Sequence, residues 1–503
     1  MPFLPASGSG DCRSDCLFLP AAGYRNDTSL NNAGSNGNYW SRSLNTNNSD
    51  NAYNLNFNSG NIIRNNNNRN NGQSVRPVRV QHLSCLKHVW CLLHKPFPMS
   101  FSREQLLYDL YQAFYDARRH KRKKPYVLSF EARLEQNLTE LCDELWERRY
   151  KARASQCFLI RDPKLREVFA ADFRDRIVHH LYYNYTHETL ERTFIYDSYS
   201  CIKGRGTHFG INRLEQHIRR ESQNWTQPCW VLKMDIRGYF MHIDRQRLLD
   251  ITLASLRRMA GHQVTKGKND KWRDKVDMGF VEYLTRTIVM LNPVEGCLRR
   301  GTPLQWKGLP RDKSLFYSNS GCGLPIGNLT SQLFSNVYLN ELDQYAKRNL
   351  HCRHYGRYVD DFYVVSADKD WLRRVAMSLK TFLNDLLGLE VNEKKTVICD
   401  VRLGVGFLGA YLKPRRRYVH NVSLWRMEAK VRLLHKKNTP EQLRSSINSF
   451  LGILSHYRSY RIRRRMFYHL DYVYRYGYYL RWMRKYVLYA RHQFIANTSQ
   501  MLL

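Results

Sequence analysis

Two adjacent carboxylates, Asp360 and Asp361, interrupt an otherwise apolar, β-prone stretch that Arg357-Tyr358 leads into and Phe362-Tyr363-Val364-Val365 leads out of. Like charges side by side repel unless a cation neutralises them, and the flanks predict a β-hairpin with the acids at its turn. A third carboxylate, Asp235, closes another strand-like run, Trp230-Val231-Leu232-Lys233-Met234. Three acids at strand ends, in a chain of formal net charge +36, suit a site for two magnesium ions. Magnesium takes oxygen ligands and can act on both the attacking and the leaving oxygen of a phosphoryl transfer.

The excess charge is unevenly placed. Of the 80 basic residues 7 precede residue 81, as do 4 of the 44 acidic ones, so residues 81–503 carry 73 basic against 40 acidic side chains, a net +33. That is the footprint of a polyanionic partner, and the interleaved Tyr, Trp and Phe offer stacking surfaces for unpaired bases. Residues 26–71, by contrast, contain 19 Asn, with a run at Asn65-Asn66-Asn67-Asn68, and no Lys occurs before Lys87. This front end holds too little apolar sequence to bury a core and is expected to be largely unstructured or a loose remnant. The 12 Cys are scattered without paired metal-ligand spacing and read as reduced thiols. No apolar run is long enough to span a bilayer and no secretion signal opens the chain, so no membrane partner and a cytoplasmic location are expected.

Helical patterning begins at Ser102-Arg103-Glu104-Gln105, which fits a capping box, and a second amphipathic helix follows through Phe130, Leu134, Leu138, Leu141 and Leu145. Between them Arg118 to Lys124 is a basic run, either a solvated loop or an RNA backbone contact. Cys157-Phe158-Leu159-Ile160 reads as a strand, and Lys164 to Phe169 as a ribbon that can lay cations over a bound triphosphate. Arg166 is the candidate for that contact, because its planar fork can engage phosphate oxygens in pairs. The adjacent His179 and His180, in a helix from Phe173 to Tyr185, fit packing better than catalysis.

Gly204-x-Gly206 lacks a preceding apolar strand and a third glycine, so it reads as a turn setting Lys203 and Arg205 near a template. Ile326-Gly327-Asn328-Leu329-Thr330-Ser331-Gln332 opens a helix, with Gly327 allowing close approach to the backbone. Lys395, in Asn392-Glu393-Lys394-Lys395, is either a proton donor to pyrophosphate or a triphosphate contact, or simply an exposed turn lysine. Gly406-Phe407-Leu408-Gly409-Ala410-Tyr411 is a glycine-bracketed turn suited to gripping a primer end or to packing. Arg461-Ile462-Arg463-Arg464-Arg465 and Tyr472-Val473-Tyr474-Arg475-Tyr476 mix cations with aromatics, as nucleic-acid contacts do, and make Arg463 and Arg464 candidates.

The order of these pieces resembles the reverse transcriptase family across roughly residues 85–480. Arg166 matches the fingers motif, Asp235 to Phe240 the first palm motif, Tyr358-Val359-Asp360-Asp361 the catalytic box, and Lys395 and Phe407-Leu408-Gly409 the later palm and primer-grip motifs. The resemblance implies an α+β right-hand polymerase fold. Residues 81–228 would form an N-terminal extension and fingers, and 229–415 a palm with antiparallel sheet and a finger insertion at about 255–325. Residues 416–503 would form a helical thumb and basic, aromatic tail. It implies that Asp235, Asp360, Asp361 and the Ile236 backbone carbonyl hold two Mg2+ ions, with Mn2+ as a substitute. Phe240 would exclude ribonucleotides, and Arg166, Ile326, Gly327, Gln332 and Lys395 would border a deoxynucleoside triphosphate.

One motif departs from the common pattern. Intron-type and many retroviral relatives carry Gln-Gly-x-x-x-Ser-Pro where this chain has Ile326 and Gln332, and the version here looks like that of diversity-generating retroelements. Those enzymes copy a template-repeat RNA with errors at adenines into cDNA that replaces a variable region, a mutagenic retrohoming, with a basic accessory variability protein as partner. Phe18 to Arg25, Asn38-Tyr39-Trp40-Ser41-Arg42 and Gly72 to Arg79 resemble the end of a C-type-lectin-fold variable protein. Asparagine codons, AAC and AAT, yield many residues and no stop on adenine substitution, so residues 1–80 read as a template repeat translated in frame, or else as a low-complexity arm. A maturase, CRISPR-associated or phage-defence reverse transcriptase, or a non-catalytic RNA-binding protein, are the alternatives.

Overall fold

The structure is a computed structural model. It describes residues 101–489 apart from 162–163, 263–271, 273–275 and 438, together with the strands between residues 24 and 73. The chain divides into two compact units, residues 1–100 and 101–503. In the first, Gly37–Leu44, Asn51–Phe57 and Ile62–Asn68 form an antiparallel meander, and Ser29–Asn31, Tyr24–Asn26 and Gly72–Gln73 a smaller antiparallel sheet. The expectation of weak order and the 80/81 boundary fall largely outside the described residues.

The second unit is α+β. Its centre is a four-stranded antiparallel sheet in the order His354–Tyr358, Asp361–Ser366, Trp230–Asp235, Val397–Asp400. Its central strands are buried on both faces, which is why they read as near-continuous apolar runs. Leu232, Met234, Phe362 and Val364 point into the larger core, with Tyr338 and Phe334 of helix Leu329–Gln344. Val231, Tyr363 and Val365 point the other way, onto Leu214 and Ile218 of helix Thr207–Glu221 and onto Phe407.

N-terminal to the sheet, helices Arg103–Arg118, Leu134–Trp146 and Phe173–Glu191 join the larger core, as do helices Arg245–Met259, Met278–Met290 and Lys369–Leu387 after its first strand. Ser102 caps the first by accepting from the Gln105 N–H at 3.2 Å. The capping box is only half formed, because the Gln105 amide reaches forward to Asp109 at 3.0 Å. The expected second helix is two, Pro125–Glu131 and Leu134–Trp146. They break at Ala132-Arg133, where the Phe130 carbonyl accepts from the Arg133 N–H at 3.3 Å and from the Asn137 side chain at 2.9 Å. Strands Gln156–Ile160 and Arg166–Ala170 form a hairpin, and Leu298–Arg299 adds to it in parallel. Helices Asn421–Val431, Pro440–Ser455 and Tyr460–Phe467 and a final hairpin, Gly477–Leu480 with Lys485–Leu488, enclose a separate C-terminal core.

Beneath the sheet hairpin lies Arg357, with no exposed surface, paired to the equally buried Asp343 through Nε at 2.8 Å and Nη2 at 2.7 Å. Burial alone would depress a guanidinium, yet the Asp343 charge raises it. Breaking such a pair leaves an uncompensated buried charge. Asp343→Ala is therefore expected to lower stability by about 3–5 kcal/mol. A thermal unfolding midpoint that does not move would contradict this.

Candidate active site

Asp361 opens its strand directly opposite Asp235, so register alone sets these residues about 4.5–5.5 Å apart at Cα. Asp360 occupies the tight turn before it, and its carbonyl accepts from the Ile236 N–H at 3.3 Å. The three acids thus converge. Val359, the other turn residue, has φ +55°, which is unfavourable for a β-branched side chain. Its conformation is held on both sides. The Ser200 hydroxyl accepts from the Val359 N–H at 3.2 Å, and Arg357 Nη1 donates to the Val359 carbonyl at 3.1 Å. Arg357 also donates to Asn336 and Ser198, while residues 197–199 run alongside it as an extra parallel segment.

The acids line a cleft of about 1320 Å³. Burial raises the Asp360 carboxyl, and the neighbouring Asp235 charge adds to that. Burial, then Asp360 and Asp235, push Asp361 up to about 7. Lys395 Nζ lies 2.6 Å from Asp235 Oδ2. Burial works to lower this ammonium, but the Asp235 bond and the charges of Asp361 and Asp360 leave it raised. Asn392 donates its N–H to the Asp235 carbonyl at 2.7 Å, which brings the lysine loop to the strand end.

Among the described residues, no three His, Cys, Asp or Glu side chains are closed around a common point. Even so, the donor set fits hard divalent cations: oxygen ligands only, an uncompensated negative charge, and an ammonium already drawn to it.

Arg166, at the start of its strand, is exposed into the same cleft, and its charge acts on Asp360. Phe240, Ile236, Ile326 and Gln332 also line it. Gly327 has φ +128°, and a Cβ there would meet the Phe169 carbonyl at 2.7 Å, so only glycine lets this turn lie against the Arg166 hairpin. The Ile326 carbonyl accepts from the Phe169 N–H at 2.8 Å, making the same junction. Lys164, of the expected cation ribbon, lines the cleft as well; sequence reasoning missed Lys313, Arg237 and Lys394, further cations lining it from loops that carry no periodic signal.

Other expected contacts resolve differently. Leu408 lines the cleft, but Phe407 packs in the smaller core. Leu408 and Gly409 have φ +47° and +83°, the two left-handed positions of a tight hairpin turn. Lys203 is exposed but does not line the cleft, and Arg205 Nη1 is spent on the Ile195 and Ser198 carbonyls at 3.3 and 3.0 Å. Arg463 must be corrected: it is 4 % exposed and donates to the Met483 carbonyl at 3.1 Å, so it props the final hairpin from inside, whereas Arg464 is exposed. His179 bonds the Thr330 hydroxyl at 2.8 Å and burial lowers it to about 4, in keeping with a packing role.

Residues 286–412 match the family model for reverse transcriptase (RNA-dependent DNA polymerase), and residues 13–78 match a domain of unknown function, DUF8237. Protein YkfC of Escherichia coli K12 is 26% identical over 327 residues, covering 57% of this chain and 74% of its own. Among solved structures, an apo telomerase of Candida tropicalis truncated from its C-terminal domain aligns at 12% identity and TM-score 0.38, over 53% of this chain and 55% of that one. A telomerase of Candida albicans in complex with a telomeric RNA fragment aligns at 10% and 0.37, over 65% and 61%. The chain thus spans less than two thirds of these telomerases. The reverse transcriptase (RNA-dependent DNA polymerase) model covers the stretch that holds Asp360, Asp361 and Lys395, within an α+β unit.

The raised Asp361 carboxyl has a pH consequence. Its folded value lies above the unfolded one, near 4, so the metal-free folded state binds more protons in that interval and stability falls as pH rises from about 4 to about 7. Asp361→Asn is expected to flatten that decline, and Mg2+ to raise the melting temperature more at pH 8 than at pH 5. Equal Mg2+ shifts at both would be the contrary result, read by thermal melts.

Proposed function

We propose that the chain is the reverse transcriptase of a diversity-generating retroelement, making adenine-mutagenised cDNA from a template-repeat RNA. The observation that carries the polymerase part is the register of Asp235 against Asp361, beside Asp360 and below Arg166, in one cleft. Asp235, Asp360, Asp361 and the Ile236 carbonyl would hold two Mg2+ ions, or Mn2+ in their place. Bound there, the ions would supply charge neutralisation at the attacking and leaving oxygens.

The remaining roles belong to the chain. A primer 3′-hydroxyl attacks the α-phosphate of a deoxynucleoside triphosphate, and pyrophosphate leaves. Arg166 holds the triphosphate, Lys395 leaves Asp235 to orient the same phosphates or protonate the departing pyrophosphate, and Phe240 stands against the sugar. Leu408 and Gly409 present backbone to the primer. Positioning and preset charge do most of the work in such a site. Asp360→Ala should reduce primer extension by at least about 10³-fold while leaving the melting profile cooperative. Undiminished cDNA synthesis by that variant would remove the catalytic assignment.

The retroelement part rests on Ile326 and Gln332, both lining the cleft, and on the asparagine-rich front end. That residues 13–78 match a family model of their own supports a front end distinct from the polymerase. We read it as a translated template repeat with the tail of a lectin-like variable protein. A basic accessory variability protein is the expected partner, the cytoplasm the expected location. Ile326→Gln, alone or with Gln332→Pro, should change the misincorporation rate opposite template adenine. Sequenced cDNA with an unaltered adenine error rate would break that link, as would a locus lacking a near-identical repeat beside a lectin-type gene.

A further inference from the structure

The segment around residues 298–317 builds a second concavity, of about 690 Å³, that shares no lining residue with the acidic cleft. Its lining includes Arg299, Lys307 and Arg311, all exposed, and no Asp or Glu. The buried carboxylate behind its wall, Glu167, is occupied: it accepts from the Ser314 hydroxyl at 2.8 Å and from the Leu315 N–H. That bond also ties the concavity to the strand carrying Arg166.

The cations are pre-placed. The Arg299 guanidinium lies 4.0 Å from the Trp306 ring centroid and 4.9 Å from that of Phe316, and Arg311 lies 5.2 Å from Tyr317. Trp306 is fixed in turn by its Nε1–H, which donates to the Arg300 carbonyl at 2.9 Å. Leu298 and Arg299 pair with Gln156 and Cys157, so this wall is part of a sheet, not a free loop. At the rim stand two apolar side chains with little cover, Leu304 at 81 % exposure and Tyr317 at 61 %.

Rigid guanidinium groups without lining acids select an anion, and an exposed ring beside them selects a flat π-face. The volume suits one nucleotide rather than a helix or a duplex. We infer that this concavity holds a nucleotide of single-stranded RNA, its phosphates on Arg299, Lys307 and Arg311 and its base against Tyr317 and Leu304. An acidic peptide would satisfy the cations but leave the exposed ring and leucine without a partner. The inference rests on the polymerase reading for the identity of the RNA, the unpaired part of the template. A second anchor there would hold the template away from the reacting end.

Binding is measured on the full chain without metal or nucleotides, by fluorescence anisotropy of a labelled oligouridylate at several salt concentrations. Arg311→Gln and Tyr317→Ala should each weaken binding about tenfold, Arg311→Gln also lowering the log–log salt slope by about 0.7. Leu304→Asp adds a negative charge at a side chain that packs on little, so it should repel the oligonucleotide with an unchanged melting temperature. Primer extension on a template with a short overhang should persist in all three. Unaltered affinity in these variants would overturn the inference, as would polyglutamate binding that the same substitutions abolish while oligouridylate binding stays. If the wild-type chain extends no primer, the polymerase reading fails, and the binding measurement remains readable by itself.

Discussion

A guanidinium with no exposed surface lies under the turn that carries Asp360, and the geometry above it depends on that charge being met. Arg357 is met by Asp343, and its remaining N–H groups run to Asn336, Ser198 and the Val359 carbonyl. Desolvating an arginine is costly, so the group is stable only in the arrangement that satisfies it. That arrangement fixes Val359 in a conformation its branched side chain resists, and so fixes where Asp360 begins. Repulsion among three carboxylates would otherwise spread the turn. Here the sheet register holds Asp361 against Asp235 and the buried arginine holds the turn, so the acids stay together before any cation arrives.

Charge balance in the cleft then follows from loops rather than from the sheet. Lys395 reaches Asp235 because Asn392 bonds the Asp235 carbonyl, and Arg166 reaches the acids because Gly327 lets its hairpin lie close. The site is therefore a junction of three pieces: a sheet that supplies the negative charge, a hairpin that supplies one cation and a short loop that supplies another. None of the three would be a site alone.

Much of this frame is legible in the sequence. Trp230 to Asp235 and Phe362 to Val365 read as strands because both faces are buried, and the acids stand out as the only charges at their ends. What was not legible depends on partners far apart in the chain. Nothing near Arg357 announces that it faces inward to Asp343 on a helix, and nothing near Arg463 announces that it props Met483. Local spacing likewise favoured one helix through residues 130–145, whereas the Asn137 side chain closes one helix and lets another start. Lys395 is the instructive case: its place in a polar turn was readable, but its resting partner, Asp235, is set by the bond from Asn392 to a strand 157 positions earlier.

The Gly327 turn has an implication for how such a protein can vary over evolutionary time. The glycine is locked by backbone contact; Gln332 presents its side chain to open space in the cleft, while Ile326, also at the cleft, packs on the cluster around Cys157 and Phe169. Exchanging Gln332 therefore perturbs little packing, whereas a polar side chain at 326 gives up contact with that cluster. Tolerance to change in this motif is thus graded residue by residue: open at 332, restricted at 326 and closed at 327.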